Sequence, residues 1–265
     1  MGCCGSADES KKRHRAEPKI DAETDLDDVL KPEKEIEPKV ENKDDIVKIG
    51  KQEYHKIDPT KNFAISYYEI KSDNINKPTQ ILNYNNEPKS INLKEIKDFC
   101  QISLNDESIA FKFEYPFPKE GKYNIKFSYK YCLVNSSNMF FSCKSLISLD
   151  LTNFNSAYIK NMSCMFFGCT NLENLNVSNF NTENVTYMSN MFSYCSSLKS
   201  LDLSSFKTEN VTNMGNMFQN CSSLMDLNIS NFTSTKLTFL EGIFDGVKKK
   251  CKITCNDNKI LNEFK

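Results

Sequence analysis

Every 26 residues this chain repeats itself: Cys143, Cys169, Cys195 and Cys221 form one column, and Met139-Phe140, Met165-Phe166, Met191-Phe192, Met217-Phe218 and Ile243-Phe244 form another. A fixed period of this length restricts the fold severely, because so short a unit buries its apolar face only against its neighbours. Within the clearest unit, Leu198, Leu201 and Leu203 carry a Leu-x-x-Leu-x-Leu spacing that recurs at Leu146/Leu149/Leu151, Leu172/Leu175/Val177 and Leu224/Leu227/Ile229. Neighbours in a strand point to opposite faces, so Leu201 and Leu203 are expected inward and Asp202 outward. Val211, Met214, Met217 and Phe218 follow at offsets that collect them on one side of a short helical or 3₁₀ segment, with Thr208 where an N-cap belongs. The expectation is a solenoid: a parallel β ladder with helical or 3₁₀ returns.

From Leu198 onward the run reads Leu-x-x-Leu-Asp-Leu-Ser-x-Phe-x-Thr-x-Asn-Val-Thr-x-Met-x-x-Met-Phe-x-x-Cys-Ser-Ser-Leu. It resembles the BspA-like leucine-rich repeats, also called the mycoplasma lipoprotein repeat, over about residues 134–246. The resemblance implies a leucine-rich-repeat solenoid and proteins that work by interaction, on cell surfaces or inside cells. It brings no catalytic motif with it.

Composition divides the chain further. Residues 1–51 mix Lys, Glu and Asp with Pro18, Pro32 and Pro38 and almost no aromatic residue, which is expected to leave them a flexible tether. Residues 52–133 alternate polar and apolar positions, as in Ala64–Ile70, Ile109–Tyr115 and Lys122–Tyr129, with turn signals at Pro116, Pro118 and Glu120-Gly121 and a short helical pattern at Asn92–Phe99. This β-rich module is expected to cover the bare edge of the first repeat as a cap, or to bind a ligand in its own right. Residues 134–246 hold the repeats, and 247–265 form a C-terminal cap in which Cys251–Cys255 make a last strand and Ile260, Leu261 and Phe264 fold back.

The first residues, Met1-Gly2-Cys3-Cys4-Gly5-Ser6, fit the N-myristoylation pattern with Gly2 as acceptor, followed at once by two thiols suited to palmitoylation. One myristoyl chain holds a membrane only marginally, so a second signal is required, and Cys3, Cys4 and the basic cluster Lys11, Lys12, Arg13 and Arg15 supply it. No signal-peptide core and no apolar run near 18 residues occur, so the expected location is the cytoplasmic face of a membrane, the plasma membrane foremost. In that reducing compartment the repeated cysteines read as a ladder of buried thiols, and sequons such as Asn184-Val-Thr186 and Asn210-Val-Thr212 go unused.

Neither a glycine-rich phosphate loop nor a nucleophile elbow is present, and only His14 and His55 are available as neutral-pH bases, so the reading is non-enzymatic, without cofactor or metal. With a net charge of −1 the chain lacks the bulk basicity of a nucleic-acid binder. What remains is a surface. Outward positions of the expected ladder read Asp150, Asn176, Asp202 and Asn228, a polar strip that either binds a partner or is simply solvated. The expected function is a membrane-anchored scaffold, a monomer that recruits an unidentified protein partner, while the family resemblance also permits a cell-surface adhesion protein.

Overall fold

The Met-Phe columns become ladders of stacked rings in the computed structural model, which describes residues 46–49, 51–83 and 91–264, all within one compact unit, Lys39–Lys265. Before the repeats come β1 (Ile46–Ile49), β2 (Gln52–His55), β3 (Phe63–Ile70), β4 (Pro78–Gln80), α1 (Ile91–Phe99), β5 (Cys100–Leu104), β6 (Glu107–Ile109), β7 (Glu114–Pro116) and β8 (Gly121–Tyr129). The repeats supply β9 (Leu146–Asp150), β10 (Asn174–Asn176), β11 (Ser200–Asp202) and β12 (Asp226–Asn228), and the chain closes with β13 (Lys252–Thr254) and α2 (Asn258–Asn262).

The expected solenoid, one parallel ladder with helical returns behind a separate cap, is not the architecture found. The molecule is a β-rich fold of several separate sheets. β9 and β10 pair in parallel but belong to a mixed six-stranded sheet in the order β10-β9-β3-β8-β5-β6, while β11, β12 and β13 form a parallel sheet of their own. β1 with β2, and β4 with β7, make two small antiparallel pairs. The ladder therefore breaks between β10 and β11. Leu175, in β10, is only half-buried, whereas Leu149, Leu201 and Leu227 in the equivalent position are buried.

The returns contain no helix, and the backbone explains why. In a helix each N–H bonds four residues back along its own chain. Here alternate amides bond forward to the next repeat instead: Met162 N–H to Tyr187 O at 2.9 Å, Cys164 to Ser189 O at 2.9 Å, Phe166 to Met191 O at 2.9 Å and Gly168 to Ser193 O at 2.8 Å. The intervening amides close tight turns, as Met165 N–H does on Met162 O. Left-handed backbone recurs in register at Asn138, Cys164, Asn190, Asn216 and Gly242, and again at Ser142, Gly168, Tyr194, Asn220 and Gly246. Two such residues per return end any right-handed helix, and asparagine and glycine accept that conformation most readily. Thr208, expected as a helix cap, is buried and joins two repeats, accepting from Thr233 N–H at 2.8 Å.

Packing follows the 26-residue columns. Phe140, Phe166, Phe192, Phe218 and Phe244 stack in sequence with ring centroids 5.9, 5.5, 5.7 and 5.9 Å apart. A second file runs Phe154, Phe180, Phe206, Phe232 at 5.9, 5.9 and 6.4 Å. Cysteine thiols line the core as donors: Cys169, Cys195 and Cys221 reach Phe140 O, Phe166 O and Phe192 O at 3.0 to 3.1 Å. Burial pushes the Cys169 and Cys221 thiols up to about 12, so they stay protonated and hold these bonds. Leu201 is buried and Asp202 exposed, as strand alternation requires.

The residues before the repeats meet the first repeat strand directly. β3 pairs antiparallel with β9, Ile65 opposite Asp150 and Tyr67 opposite Ser148, so the first repeat strand is one member of their sheet. At the other end Phe264 meets Phe244 edge-on at 5.5 Å, and α2 starts at Asp257, whose carboxylate accepts the amides of Lys259 and Ile260.

Phe192, fully buried between two rings, is predicted to cost about 3 to 5 kcal/mol on substitution by Ala, whereas Tyr187→Ala, at a position 48% exposed, is predicted to cost under about 1 kcal/mol. Urea unfolding of both variants measures this; equal losses would contradict the assigned core.

Candidate functional site

One face of the six-stranded sheet packs on the core and the other is open. Along β3, Ala64, Ser66, Tyr68 and Ile70 are buried, while Phe63, Ile65, Tyr67 and Glu69 point the other way. Tyr67 sits in the middle of that open face and is 42% exposed. Its neighbours across the strands are Asn124 on β8 and Ser148 on β9. One pair further along, Ile65 lies between Lys126 and Asp150, and Lys126 Nζ sits 4.0 Å from the centre of the Phe63 ring. A register shift between Tyr67 and Tyr68 adds local twist where the β3 and β9 strands meet. Beyond β9, Asn174 and Asn176 extend the face as exposed side chains.

At the rim of this face a cleft of about 350 Å³ is lined by Glu69, Lys71, Asp73, Ser145, Ile147 and Glu173. Its chemistry is three carboxylates around one lysine. Among the described residues no group of three His, Cys, Asp or Glu side chains is placed to hold a metal ion.

The four residues expected to form one polar strip are divided between two sheets, Asp150 and Asn176 on the six-stranded one and Asp202 and Asn228 on the three-stranded one. Each also has a structural task. Asp150 Oδ1 accepts Thr152 N–H at 3.0 Å, Asn176 accepts Ser178 at 3.2 Å, Asp202 accepts Ser204 at 2.9 Å and Asn228 accepts Ser230 at 3.2 Å. These are side-chain turns that end each strand. The Ser204 hydroxyl and amide hold the Asp202 carboxyl below the usual carboxylate range. The strip residues therefore contribute to the turn as well as to the surface.

Gly2, Cys3, Cys4, Lys11, Lys12, Arg13 and Arg15 lie outside the described residues. No helix among the described residues is long and apolar enough to cross a membrane. The sequon amides are occupied: Asn184 Nδ2 donates to Ala157 O and Asn210 Nδ2 to Glu183 O, both at 2.8 Å and each bridging one repeat to the last. Tyr67 and Lys126 were not singled out from sequence. The alternation of Phe63–Ile70 holds the signal, because it leaves one aromatic of the Tyr67-Tyr68 pair on each face.

One buried acid stands apart from these surfaces. On α1, Glu95, Ile96 and Phe99 are buried on one side, and Glu95 Oε1 accepts the Tyr54 hydroxyl at 2.8 Å while Oε2 is buried with no hydrogen-bond partner. Burial raises the Glu95 carboxyl to about 7, against the opposing hydrogen bonds from the Tyr54 hydroxyl and the Val134 backbone. A carboxyl raised in the folded state binds its proton more tightly folded than unfolded. Its contribution is thus complete below its ordinary value of 4.5 and is lost as pH rises through about 7. The predicted loss is about 3 kcal/mol across that window, and Glu95→Gln, which keeps an acceptor for Tyr54, is predicted to remove it. Urea unfolding from pH 5 to 8 measures the difference; a stability gap between the two proteins that stays constant with pH would contradict the assignment.

Residues 134–256, just under half of the chain, match a family described as "Mycoplasma protein of unknown function, DUF285". Searches of curated proteins and of solved structures gave no match. The repeats, from Asn135 through the last strand, are thus the part of this chain that is similar to a known family.

Proposed function

We propose that the chain is a non-enzymatic binding module, held at a membrane by an N-terminal lipid, that recruits a protein partner through the open face of the six-stranded sheet. The observation that carries the reading is Tyr67, a large aromatic 42% exposed at the centre of a face that also holds the half-buried Phe63 and Ile65 and the polar Glu69, Asn124, Lys126, Ser148, Asp150, Asn174 and Asn176. An aromatic anchor ringed by polar groups is the usual composition of an interface hot spot and its rim. The mixed charge of Lys126 and Asp150 would set the orientation of the partner more than its affinity. In this reading Gly2 carries the myristoyl group, Cys3 and Cys4 the palmitoyl groups, and Lys11, Lys12, Arg13 and Arg15 add attraction to anionic lipid.

Tyr67→Ala is predicted to weaken partner binding by about 2 kcal/mol, roughly 30-fold, while leaving membrane attachment intact; Gly2→Ala is predicted to do the reverse. Proximity labelling in cells, read together with membrane fractionation, measures both. Unchanged labelling of neighbours by Tyr67→Ala would refute the binding face, and a Gly2→Ala protein that remains fully membrane-bound would refute the lipid anchor.

A further inference from the structure

At the C-terminal end of the repeats a basic surface surrounds one exposed methionine. Lys199, Met225 and Cys251 immediately precede β11, β12 and β13. Met225 N–H donates to Lys199 O at 2.8 Å and Lys252 N–H to Met225 O at 2.9 Å, which sets these positions side by side at a strand spacing of about 4.8 Å. Met225 is 42% exposed. Lys248, Lys249 and Lys250 lead into β13, Lys252 is its first residue, and all four are exposed, as is Lys199. Lys250 occupies the position that Leu146, Leu172, Leu198 and Leu224 fill with buried side chains in earlier repeats.

The ion pairs among the described residues are Lys48 with Glu53 and Lys207 with Glu183, so none of these five lysines is paired. Lys249 Nζ donates to Phe264 O at 2.6 Å, and Asp226, opposite Lys252 in register, is an acid beside the patch. Lysines on the last strand of a sheet do discourage pairing with another chain. That role accounts for Lys252, but it calls neither for three lysines in the preceding turn nor for an exposed methionine beside Lys199, in the column that ends at Cys251.

We propose that this surface is where the protein lies against an anionic lipid bilayer, with Met225 entering the headgroup layer and the lysines around it on lipid phosphates and carboxylates. The proposal rests on the membrane location proposed above and adds to it the side of the folded part that meets the lipid. Lysine stems lie along apolar surface while their ammonium groups stay in water, which suits a lipid boundary. Each lysine close to an anionic surface strengthens attachment about fivefold. An acidic protein or a nucleic acid would need the lysines without needing the methionine.

The test uses the full chain with Gly2→Ala, so that no arm carries an acyl group, sedimented with phosphatidylcholine vesicles that contain or lack phosphatidylserine. The expected result is binding to the phosphatidylserine vesicles alone, weakened by salt. The variant K199Q/K248Q/K249Q/K250Q/K252Q is expected to bind at least about tenfold more weakly at an unchanged melting temperature, while five Lys→Arg changes at the same positions preserve binding. Met225→Ser is expected to bind a few-fold more weakly. The proposal is overturned if the five-glutamine variant binds as its parent does, if K11Q/K12Q/R13Q/R15Q alone removes all binding, if vesicles without phosphatidylserine bind equally well, or if Met225→Ser has no effect. Because acylation is absent throughout, failure here leaves the lipid anchor standing, and failure of the anchor leaves this surface to be judged on its own.

Discussion

Amides that bond forward by one repeat, rather than back along their own chain, are what the rest of this molecule depends on. The Met-Phe segments hold four such bonds from the second repeat to the third, at Met162, Cys164, Phe166 and Gly168, and the next repeat continues them at Met188, Asn190, Phe192 and Tyr194. Each contributes about 1 kcal/mol net, but left unmade in a buried segment it would cost more than that. Left-handed residues at two places in each repeat turn the backbone so that alternate amides face the neighbour, and the Phe140 to Phe244 file stacks as a result. This side of the repeats runs unbroken past the point where β10 and β11 part.

That arrangement explains why the strands can be so short. β10, β11 and β12 have three residues each, too few to order themselves, and the turn side fixes their spacing for them. It also frees the strand side to vary. Its first part joins the antiparallel strands β3, β8, β5 and β6 and gains Tyr67 on an open face, while its last part ends in Lys250 and Lys252. One repeat thus supports two surfaces of different chemistry. The sheet face around Tyr67 is the one proposed to take a protein partner, and the lysines near Met225 are the ones proposed to meet lipid.

Much of the core was readable from the period alone. The Phe and Cys columns, the inward Leu201 and outward Asp202, the last strand near Cys251 and the helix ending at Phe99 all follow from spacing. The helical return did not survive, because offsets of three at Val211, Met214 and Met217 fit successive tight turns as well as a helix. The recurrent asparagines Asn138, Asn190, Asn216 and Asn220 carried the distinction, since asparagine is the residue that most readily takes left-handed backbone after glycine. Pairing of β3 with β9 joins residues about 80 positions apart and leaves no local trace in either segment. For the same reason Tyr67 looked like one more residue of a cap, and the split of Asp150 and Asn176 from Asp202 and Asn228 could not be read from the repeat.

Amide hydrogen exchange on the folded protein tests the dependence on forward bonds most directly. The amides of Cys164, Phe166, Gly168, Met188, Phe192 and Phe218, all outside regular strands, are predicted to be protected as strongly as those within β3 and β8 and to be lost together with them in denaturant. Rapid exchange of those amides, with protection confined to the strands, would contradict it.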